Sequence, residues 1–278
     1  MLNTCHLNVL IAITLLITLF MAARLSGAAE VRVLSAAAAQ LPEKELAAEF
    51  TKETGHRVSF TFGSPGAIQE KVATGEIFDL VVMPAAAMET LERAAKLLPG
   101  SRRALARVGI GVAVREGAPK PDISTPEAFR KMLLDATSIT YSDSSTGGLS
   151  GLSVEKLLAN LGIADAVKAK AILRSDGQQL IANGEAEIGL YNVSEIPRAK
   201  GVILAGPVPA AAQVYINYDA AVPATNGSPE AALAFLKFLS RPAARARWEA
   251  AGLELASFAP ASGPGQTIIK EWGPSTRR

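Results

Sequence analysis

FTFGSPGAIQEKVATGEIFDLVV (Phe60 to Val82) fits a turn, a short helix, a second turn and a buried strand into one stretch of chain. Ser64 is placed to cap the helix and Pro65 suits its first turn. Gly75 ends the helix, and FDLVV (Phe78 to Val82), which is mainly apolar, predicts a buried strand. The stretch therefore predicts one helix-turn-strand unit of an α/β fold.

A similar string, QQLIANGEAEIGLYNV, returns at Gln178 to Val193. Both strings run from a helix through a Gly-Glu turn into a strand. From Glu30 onward, strand-like segments alternate with helix-like segments of about ten residues, a pattern that indicates an α/β protein with mostly parallel sheets. We expect two lobes of similar build, each aiming a helix N-terminus at one small ligand.

The hydrophobic pattern and the turn residues predict the individual elements. The predicted strands are Val31–Ala36, Arg57–Phe62, Phe78–Val82, Val108–Val114, Ser138–Asp143, Ala171–Arg174, Glu187–Asn192 and Gln213–Val222. The predicted helices are Leu41–Glu53, the helix after Ser64, Pro126–Asp135 capped by Ser124 or Thr125, Leu152–Leu161, Gly177–Asn183, and Pro229–Gly252 broken at Arg241-Pro242.

The composition is that of a globular protein: 49% of the 278 residues are hydrophobic and 19% are charged. The 28 Lys and Arg residues nearly balance the 26 Asp and Glu residues. Nucleic-acid binding usually shows as a cluster of basic residues. The sequence contains nothing larger than single pairs, so nucleic acid is not an expected partner.

The N-terminus predicts export. Val9 to Ala23 is an uncharged, mainly apolar run, shorter than the roughly 20 residues that span a bilayer, and small residues follow it. We predict a cleavable signal peptide over residues 1–29 and a periplasmic protein; the alternative is an uncleaved anchor. Cleavage would remove Cys5, the only cysteine, so no disulfide would form in the mature chain.

The motifs of common enzymes and metal sites are absent from the sequence. The mature chain would keep one histidine, His56, in a turn where a solvated role is the ordinary one. No HExxH, cysteine cluster, Walker A loop or GxSxG elbow occurs, and the S-x-x-K at Ser153 to Lys156 lacks its partner motifs. We expect no metal and no cofactor.

Several loops rich in glycine and serine each lead into a predicted helix. They are GSPG before Ala67, SSTGGLSG before Leu152 and SDG before Gln178. A helix N-terminus offers unpaired N–H groups and a partial positive charge, so it binds anions without Lys or Arg. Ligands of open α/β sheets bind at the carboxyl ends of the strands, which these loops follow. The pattern indicates a small-anion site.

The chain resembles the periplasmic solute-binding proteins of bacterial ABC transporters, in particular the molybdate-binding type. The resemblance rests on VLSAAAAQLPEKELAAEFTKETGHRV, FTFGSPGAIQEKVATGEIFDLVVMPA, SDSSTGGLSGLSVEKLL and GEAEIGLYNVSEI, within Val31 to about Leu255. It implies two α/β lobes of the type 2 periplasmic binding fold, joined by crossing strands at Val108–Val114 and Gln213–Val222. Lobe I would comprise 30–112 and 217–258, lobe II 113–216, and residues 259–278 a flexible tail.

The resemblance is weaker at the residues that would bind molybdate. The first-loop serine of molybdate binders is matched here by Ala38, and the second-loop serine falls at Pro65 with Ser64 beside it. The tyrosine that completes the site is matched by Asn192, and Ser150 falls near a backbone donor. These differences argue against molybdate and leave the class of small anions, either an oxyanion or an organic acid.

A second branch of the same fold, the aconitate isomerases, is similar to GSPGAI and VGIGVAV in this chain. An enzyme of that kind moves a proton along an allylic tricarboxylate and needs a positioned base and carboxylate clamps. Glu76 and Glu185 are turn residues, and Arg174 is a candidate carboxylate clamp. This enzyme is the alternative to a receptor without chemistry.

The sequence thus favours an exported, monomeric substrate-binding protein of an ABC-type transporter that captures a small anion and docks to a membrane permease. The predicted ligand contacts are Ser35, Ser64, Gly66, Ser145, Thr146, Gly147, Ser150, Gly177, Gln178 and Asn192.

Overall fold

The computed structural model describes residues 28–146, 149–174 and 176–256. Gly147, Ser175, the predicted tail (259–278) and all but the last two residues of the predicted signal peptide lie outside the described residues. Strands and helices alternate along the chain, which confirms the predicted α/β class. Within the described ranges, no helix combines the length and the apolarity needed to cross a lipid bilayer.

The chain divides into two compact units. Unit 1 contains the described residues up to Ser101 together with a second segment, Ala220–Ala251. Unit 2 contains the described residues of Arg102–Asp219 and those from Gly252 to Ala256. Unit 1 is therefore built from two pieces of chain that are distant in sequence.

Unit 1 has a parallel sheet in the order β2-β1-β3, with Ser35 opposite both Phe62 and Val82. Its strands are β1 (Glu30–Ala36), β2 (Arg57–Gly63) and β3 (Leu80–Pro84). Its helices are α1 (Gln40–Thr54), α2 (Pro65–Ala73), α3 (Ala85–Arg93), α8 (Pro229–Leu239) and α9 (Arg245–Ala250). Strand β9 (Tyr215–Ala221) leads from unit 2 into the second segment of unit 1.

The two segments of unit 1 share one hydrophobic core. The Phe50 ring of α1 lies 5.0 Å from the Phe235 ring and 5.3 Å from the Phe238 ring of α8. Trp248 of α9 is fully buried, and its indole N–H donates to the Leu239 carbonyl at 2.9 Å. Because aromatic side chains bury large areas, these contacts make the second segment an integral part of the core.

Asp79, just before β3, connects the same two segments through hydrogen bonds. Its buried carboxylate accepts from the backbone N–H of Arg32 at 2.8 Å. Its other oxygen accepts from the N–H groups of Gly227 and Ser228, at 2.8 and 2.9 Å, where α8 begins. An ion pair to the Arg32 guanidinium, 3.4 Å away, completes the set. One side chain thus satisfies backbone donors from both segments.

Unit 2 has a mixed sheet. Strands β5, β6 and β7 are parallel to one another, while β4 runs antiparallel to β7, β8 and β10. Its strands are β4 (Arg103–Arg115), β5 (Ile139–Tyr141), β6 (Ala171–Leu173), β7 (Ile188–Asn192), β8 (Val202–Pro207) and β10 (Glu254–Leu255). Its helices are α4 (Pro126–Asp135), α5 (Leu149–Asn160), α6 (Ala164–Lys168) and α7 (Gly177–Asn183).

Helices cover both faces of the unit 2 sheet. Val154 and Leu157 of α5 pack with Leu190 of β7 in one core cluster. On the opposite face, Leu180 of α7 packs with Tyr191 in a second cluster. Side chains alternate between the two faces of a strand, so Asn192, like Leu190, belongs to the face that α5 covers.

Several predicted element boundaries need correction. Helix α5 begins at Leu149 rather than Leu152, β4 extends beyond 108–114 at both ends, and β3 begins two residues after Phe78. Thr125, whose hydroxyl accepts from the Ala128 N–H at 3.1 Å, caps α4. The elements that the sequence did not predict are α3, α6, β8 and β10.

Candidate functional site

The carboxyl ends of three parallel strands lie at one edge of the unit 2 sheet. β5 ends at Tyr141, β6 at Leu173 and β7 at Asn192, and the register pairs Tyr141 with both Leu173 and Leu190. The segments that follow these strands therefore meet at this edge, and α5 and α7 begin there. This is the edge at which open α/β sheets bind ligands.

Most of the predicted contacts of unit 2 lie at this edge. Ser150 is in the first turn of α5, Gly177 and Gln178 open α7, and Asn192 ends β7. Ser145 is exposed, and its N–H donates to the Asp143 carboxylate at 2.9 Å. Thr146 belongs to the same short 3₁₀ turn, Ser144–Thr146, and the predicted contact Gly147 lies outside the described residues.

The start of α5 packs tightly against the end of β5. A methyl group at Gly151 would come within 2.2 Å of the Ser142 carbonyl oxygen, so only glycine permits this approach. Ser144 donates to the Glu155 carboxylate at 2.6 Å and ties the preceding turn to the helix. The result is a fixed helix N-terminus whose first turn carries the buried hydroxyl of Ser150.

Two predicted contacts on this side of the sheet have unsatisfied polar atoms. The Ser150 hydroxyl is buried and has no hydrogen-bond partner among the described residues. Asn192 is only 3% exposed; its Nδ2 donates to Glu195 Oε1 at 2.7 Å, whereas its Oδ1 has no partner among those residues. An unpaired buried polar atom costs about 1–3 kcal/mol, so such atoms at one sheet edge call for an explanation.

Gly177 allows a close contact between α7 and the sheet, and its predicted contact with a ligand stays a prediction. A methyl group there would lie 2.2 Å from the Tyr191 hydroxyl and 2.4 Å from Thr140 Oγ1. The glycine thus lets α7 approach the tyrosine, whose hydroxyl lies 3.2 Å from that of Thr140. Burial raises the pKa of Tyr191 to about 12, so the phenol keeps its proton at neutral pH.

A polar cavity of about 360 Å³ lies beside Tyr191 in unit 2. This volume falls within the range of small-molecule sites, about 300–1,000 Å³. Amide, hydroxyl, carboxylate and ammonium groups all contribute to its wall. The lining residues are Ser142, Asp176, Gln178, Gln179, Tyr191, Glu195, Ala199 and Lys200.

Glu195 is the residue of this site that the sequence reasoning missed. It follows β7 by three residues, lines the cavity and accepts the amide of Asn192. Burial raises the pKa of Glu195, while the Asn192 hydrogen bond and the Arg198 charge partly oppose the rise. The only sequence signal was its place in YNVSE, directly after a strand that already carried a predicted contact.

The predicted contacts of unit 1 also lie at the carboxyl edge of their sheet. Ser64 is exposed and caps α2, its hydroxyl accepting from the Ala67 N–H at 3.3 Å. Gly66 is exposed, with open space where a side chain would stand. Ser35 is fully buried, and its hydroxyl donates to the Ala36 carbonyl at 3.3 Å. Ser64 and Gly66 are therefore accessible at a helix start, and Ser35 is enclosed.

The sequence reasoning also missed Glu43, a buried carboxyl in the first turn of α1. It is fully buried, and neither of its oxygens has a hydrogen-bond partner among the described residues. Burial raises the pKa of Glu43 to about 8, and the neighbouring Ser35 hydroxyl, although bonded to the Ala36 carbonyl, acts in the opposite direction. The group is therefore mostly protonated at neutral pH.

The candidate clamp Arg174 and the two turn glutamates, Glu76 and Glu185, have ordinary partners. Arg174 pairs with Asp176 through two contacts of 2.7 Å, and Glu76 pairs with Lys71 at 2.7 Å. Glu185 accepts from Asn183 at 3.0 Å. Among the described residues, no group of three or more His, Cys, Asp or Glu side chains is arranged to hold a metal ion.

Comparison with known proteins gives matches over most of the chain. The family model described as bacterial extracellular solute-binding protein matches residues 31–254. Aconitate isomerase from Pseudomonas sp is 32% identical over 219 residues, which cover 76% of this chain and 82% of that protein. The molybdate-binding protein ModA of Azotobacter vinelandii is 28% identical over 225 residues, 78% of this chain and 86% of that protein.

A solved structure supports the same fold. The substrate binding domain of a proposed molybdenum ABC transporter from Clostridium difficile superposes with a TM-score of 0.72 at 16% identity. The match covers 82% of this chain and 100% of that one. The predicted resemblance to periplasmic binding proteins is therefore confirmed for the fold.

Proposed function

This chain belongs to the bacterial extracellular solute-binding protein family, and from that premise we propose that it is an exported receptor for a small organic acid. It acts as the substrate-binding protein of an ABC-type transporter. We place it in the periplasm after removal of residues 1–29, and its partner is the membrane permease of that transporter.

The observation that carries this proposal is the start of α5 in unit 2. The helix N-terminus offers backbone N–H groups and a partial positive charge. Ser150 adds a buried hydroxyl and Asn192 a buried amide oxygen, neither of which has a partner in the part of the chain that the structure describes. The Ser150 hydroxyl can donate to a ligand carboxylate, and the Asn192 amide can accept from the ligand or donate to it, according to which end of the amide faces it.

Three observations favour an organic acid over molybdate. Ala38 and Asn192 stand where the molybdate-binding pattern has a serine and a tyrosine. The polar cavity beside Tyr191 has a mixed lining of acceptors and donors that suits a molecule with several functional groups. Finally, a 32% identical relative is an isomerase of aconitate, an organic acid. Ser64 and Gly66 remain proposed contacts of unit 1.

We expect Ser150→Ala and Asn192→Ala each to weaken ligand binding about tenfold, because each loses one buried polar contact, worth about 1.5 kcal/mol. Neither variant should unfold the protein, because Ser150 Oγ has no partner to lose among the described residues and Asn192 loses a single hydrogen bond, to Glu195. Isothermal calorimetry with cis-aconitate, trans-aconitate, citrate, molybdate and sulfate measures the effect. Ser153→Ala, on a half-buried position of the same helix, is the matched control. Full affinity in both variants would refute this site.

A second candidate function is isomerisation of aconitate, favoured by the 32% identity and by the carboxyl of Glu195 in the cavity wall. The reaction moves one proton between two carbons of the same molecule, so it needs a base but no co-reactant. We expect trans-aconitate to raise the melting temperature without conversion. Proton NMR of trans-aconitate with catalytic amounts of protein tests this, and formation of the cis isomer would establish the enzyme instead.

A further inference from the structure

We propose that Glu195 and Asn192 form a proton-dependent selector for anions, in which a proton on Glu195 turns the Asn192 amide so that its Nδ2 faces the ligand. The binding of an organic acid then takes up one proton. This inference rests on the proposed function, because it concerns the same end of β7 and the same class of ligand.

The hydrogen bond between the two side chains sets the direction of the amide. With Glu195 ionised, its carboxylate only accepts, so the Asn192 Nδ2 must point toward it, as the 2.7 Å bond shows. The Oδ1 is then left buried and without a partner among the described residues. An acceptor in that position repels a carboxylate or oxyanion at the start of α5.

Protonation of Glu195 reverses this arrangement. A neutral carboxyl carries an O–H donor, which can bond to Asn192 Oδ1 once the amide has turned by half a rotation. The Nδ2, a donor of two hydrogen bonds, then takes the place of the unpaired oxygen. The buried amide thus changes from an acceptor into a donor, which is what an anion requires.

The charges around Glu195 permit this proton uptake. Arg198 favours the ionised carboxyl, but burial has the larger effect and raises its pKa. Tyr191 and Tyr218 lie close enough for the charge of Glu195 to raise their own pKa values, and burial holds both well above neutral pH. Both phenols are therefore neutral neighbours.

The remaining charges belong to the cavity wall. Asp176 is paired with Arg174, so that part of the wall carries little net charge, and the Lys200 ammonium is exposed. Glu195 lines the same cavity and is only partly buried. Protons therefore reach the Glu195 carboxyl through the cavity, while the Asn192 amide lies on the face of the sheet that α5 covers.

The test compares wild type with Glu195→Gln, which is neutral at every pH and keeps a donor for Asn192 Oδ1. Calorimetry with trans-aconitate between pH 5.5 and 8.5, in two buffers of different ionisation enthalpy, measures affinity and proton uptake together. We expect wild type to bind at least tenfold tighter at pH 5.5 than at pH 8.5, with uptake approaching one proton. The affinity of Glu195→Gln for trans-aconitate should be high at both pH 5.5 and pH 8.5, should differ by less than twofold between them, and should involve no proton uptake.

The control is Glu185→Gln, which removes an exposed carboxylate of unit 2 and should keep the wild-type dependence of trans-aconitate affinity on pH. Wild-type affinity that is flat with pH and without proton uptake overturns the selector but leaves the proposed function in place. The same holds if Glu195→Gln keeps the wild-type slope. If neither protein binds trans-aconitate, cis-aconitate or citrate at any pH, the proposed function fails and the selector fails with it.

Discussion

Asp79→Ala is expected to destabilise unit 1 by about 3–5 kcal/mol, the range for breaking a buried charged interaction. The carboxylate is buried and accepts the N–H groups of Arg32, Gly227 and Ser228. Alanine leaves these donors unpaired, and each loss adds to the cost. Urea unfolding followed by circular dichroism measures the change as a lower transition midpoint.

The control for this prediction is Asp122→Ala, which removes an exposed carboxylate that accepts from the N–H and the hydroxyl of Ser124, at 3.0 and 2.7 Å. Its effect should stay below about 1 kcal/mol, as for other exposed polar contacts. Asp79→Asn keeps one acceptor oxygen and should fall between the two. If the free energy of unfolding of Asp79→Ala lies within about 1 kcal/mol of the wild-type value, the hydrogen bonds of Asp79 between the two segments of unit 1 contribute little to stability.

Glu43→Gln is expected to stabilise the protein at pH 8 and to have little effect near pH 4.5. The pKa of Glu43 is about 8 in the native state and 4.5 in the reference state, so the native protein holds the proton over a range in which the unfolded chain releases it. The free energy of unfolding therefore falls as pH rises through this window, by up to about 1.4 kcal/mol per pH unit. Glutamine never ionises, so the variant escapes this loss.

Urea unfolding at pH 4.5, 6 and 8 measures the difference between wild type and Glu43→Gln. We expect a gap that widens with pH and reaches roughly 2–4 kcal/mol at pH 8. The matched control is Glu45→Gln on the same helix. Its carboxylate is exposed and makes a long ion-pair contact, 3.7 Å, with the Arg247 guanidinium. A difference in the free energy of unfolding that is the same at all three pH values would show that Glu43 ionises in the native state as it does in the unfolded chain.

The first and last residues of some helices were predicted correctly because residues close to them in sequence determine where the helix begins and ends. Helix α4 begins after Thr125 with a proline in its first turn, and α7 ends before Gly184 in the left-handed conformation. The Ser64 cap of α2 was also correct. In each case the hydrogen bonds or backbone angles that set the boundary belong to residues within one turn, so the sequence alone contains the information.

Other boundaries depend on contacts that are distant in sequence. Ser150 and Gly151 belong to a glycine-rich loop in the sequence, yet they are helical because Gly151 packs on Ser142. Helix α3 has no side-chain cap, and the buried Met88 and Leu91 hold it in place. Both cases show tertiary packing deciding a boundary that local preference left open.

Some residues of the candidate site could also be predicted from the sequence, and others could not. The positions of Ser150, Gln178 and Asn192 follow from the rule that ligands bind at the carboxyl ends of strands. Glu43 and Glu195 were missed because isolated carboxylates in a sequence suggest solvated side chains, and only the packed structure shows that Glu43 is buried and Glu195 partly so. Ser35 was predicted as a contact by the same rule and stays a prediction; its side chain is buried in unit 1, as those of Ser150 and Asn192 are in unit 2.

The two-segment build of unit 1 has a consequence for the newly made chain. On a ribosome the segment up to Ser101 emerges first, but Phe235, Phe238 and Trp248 lie in a part that is made only after the whole stretch 102–219. At a synthesis rate of about 5–20 residues per second, this delay is on the order of ten seconds. During that interval the Phe50 ring of α1 lacks the Phe235 and Phe238 rings that pack on it, so unit 1 cannot complete its core before the second segment is made.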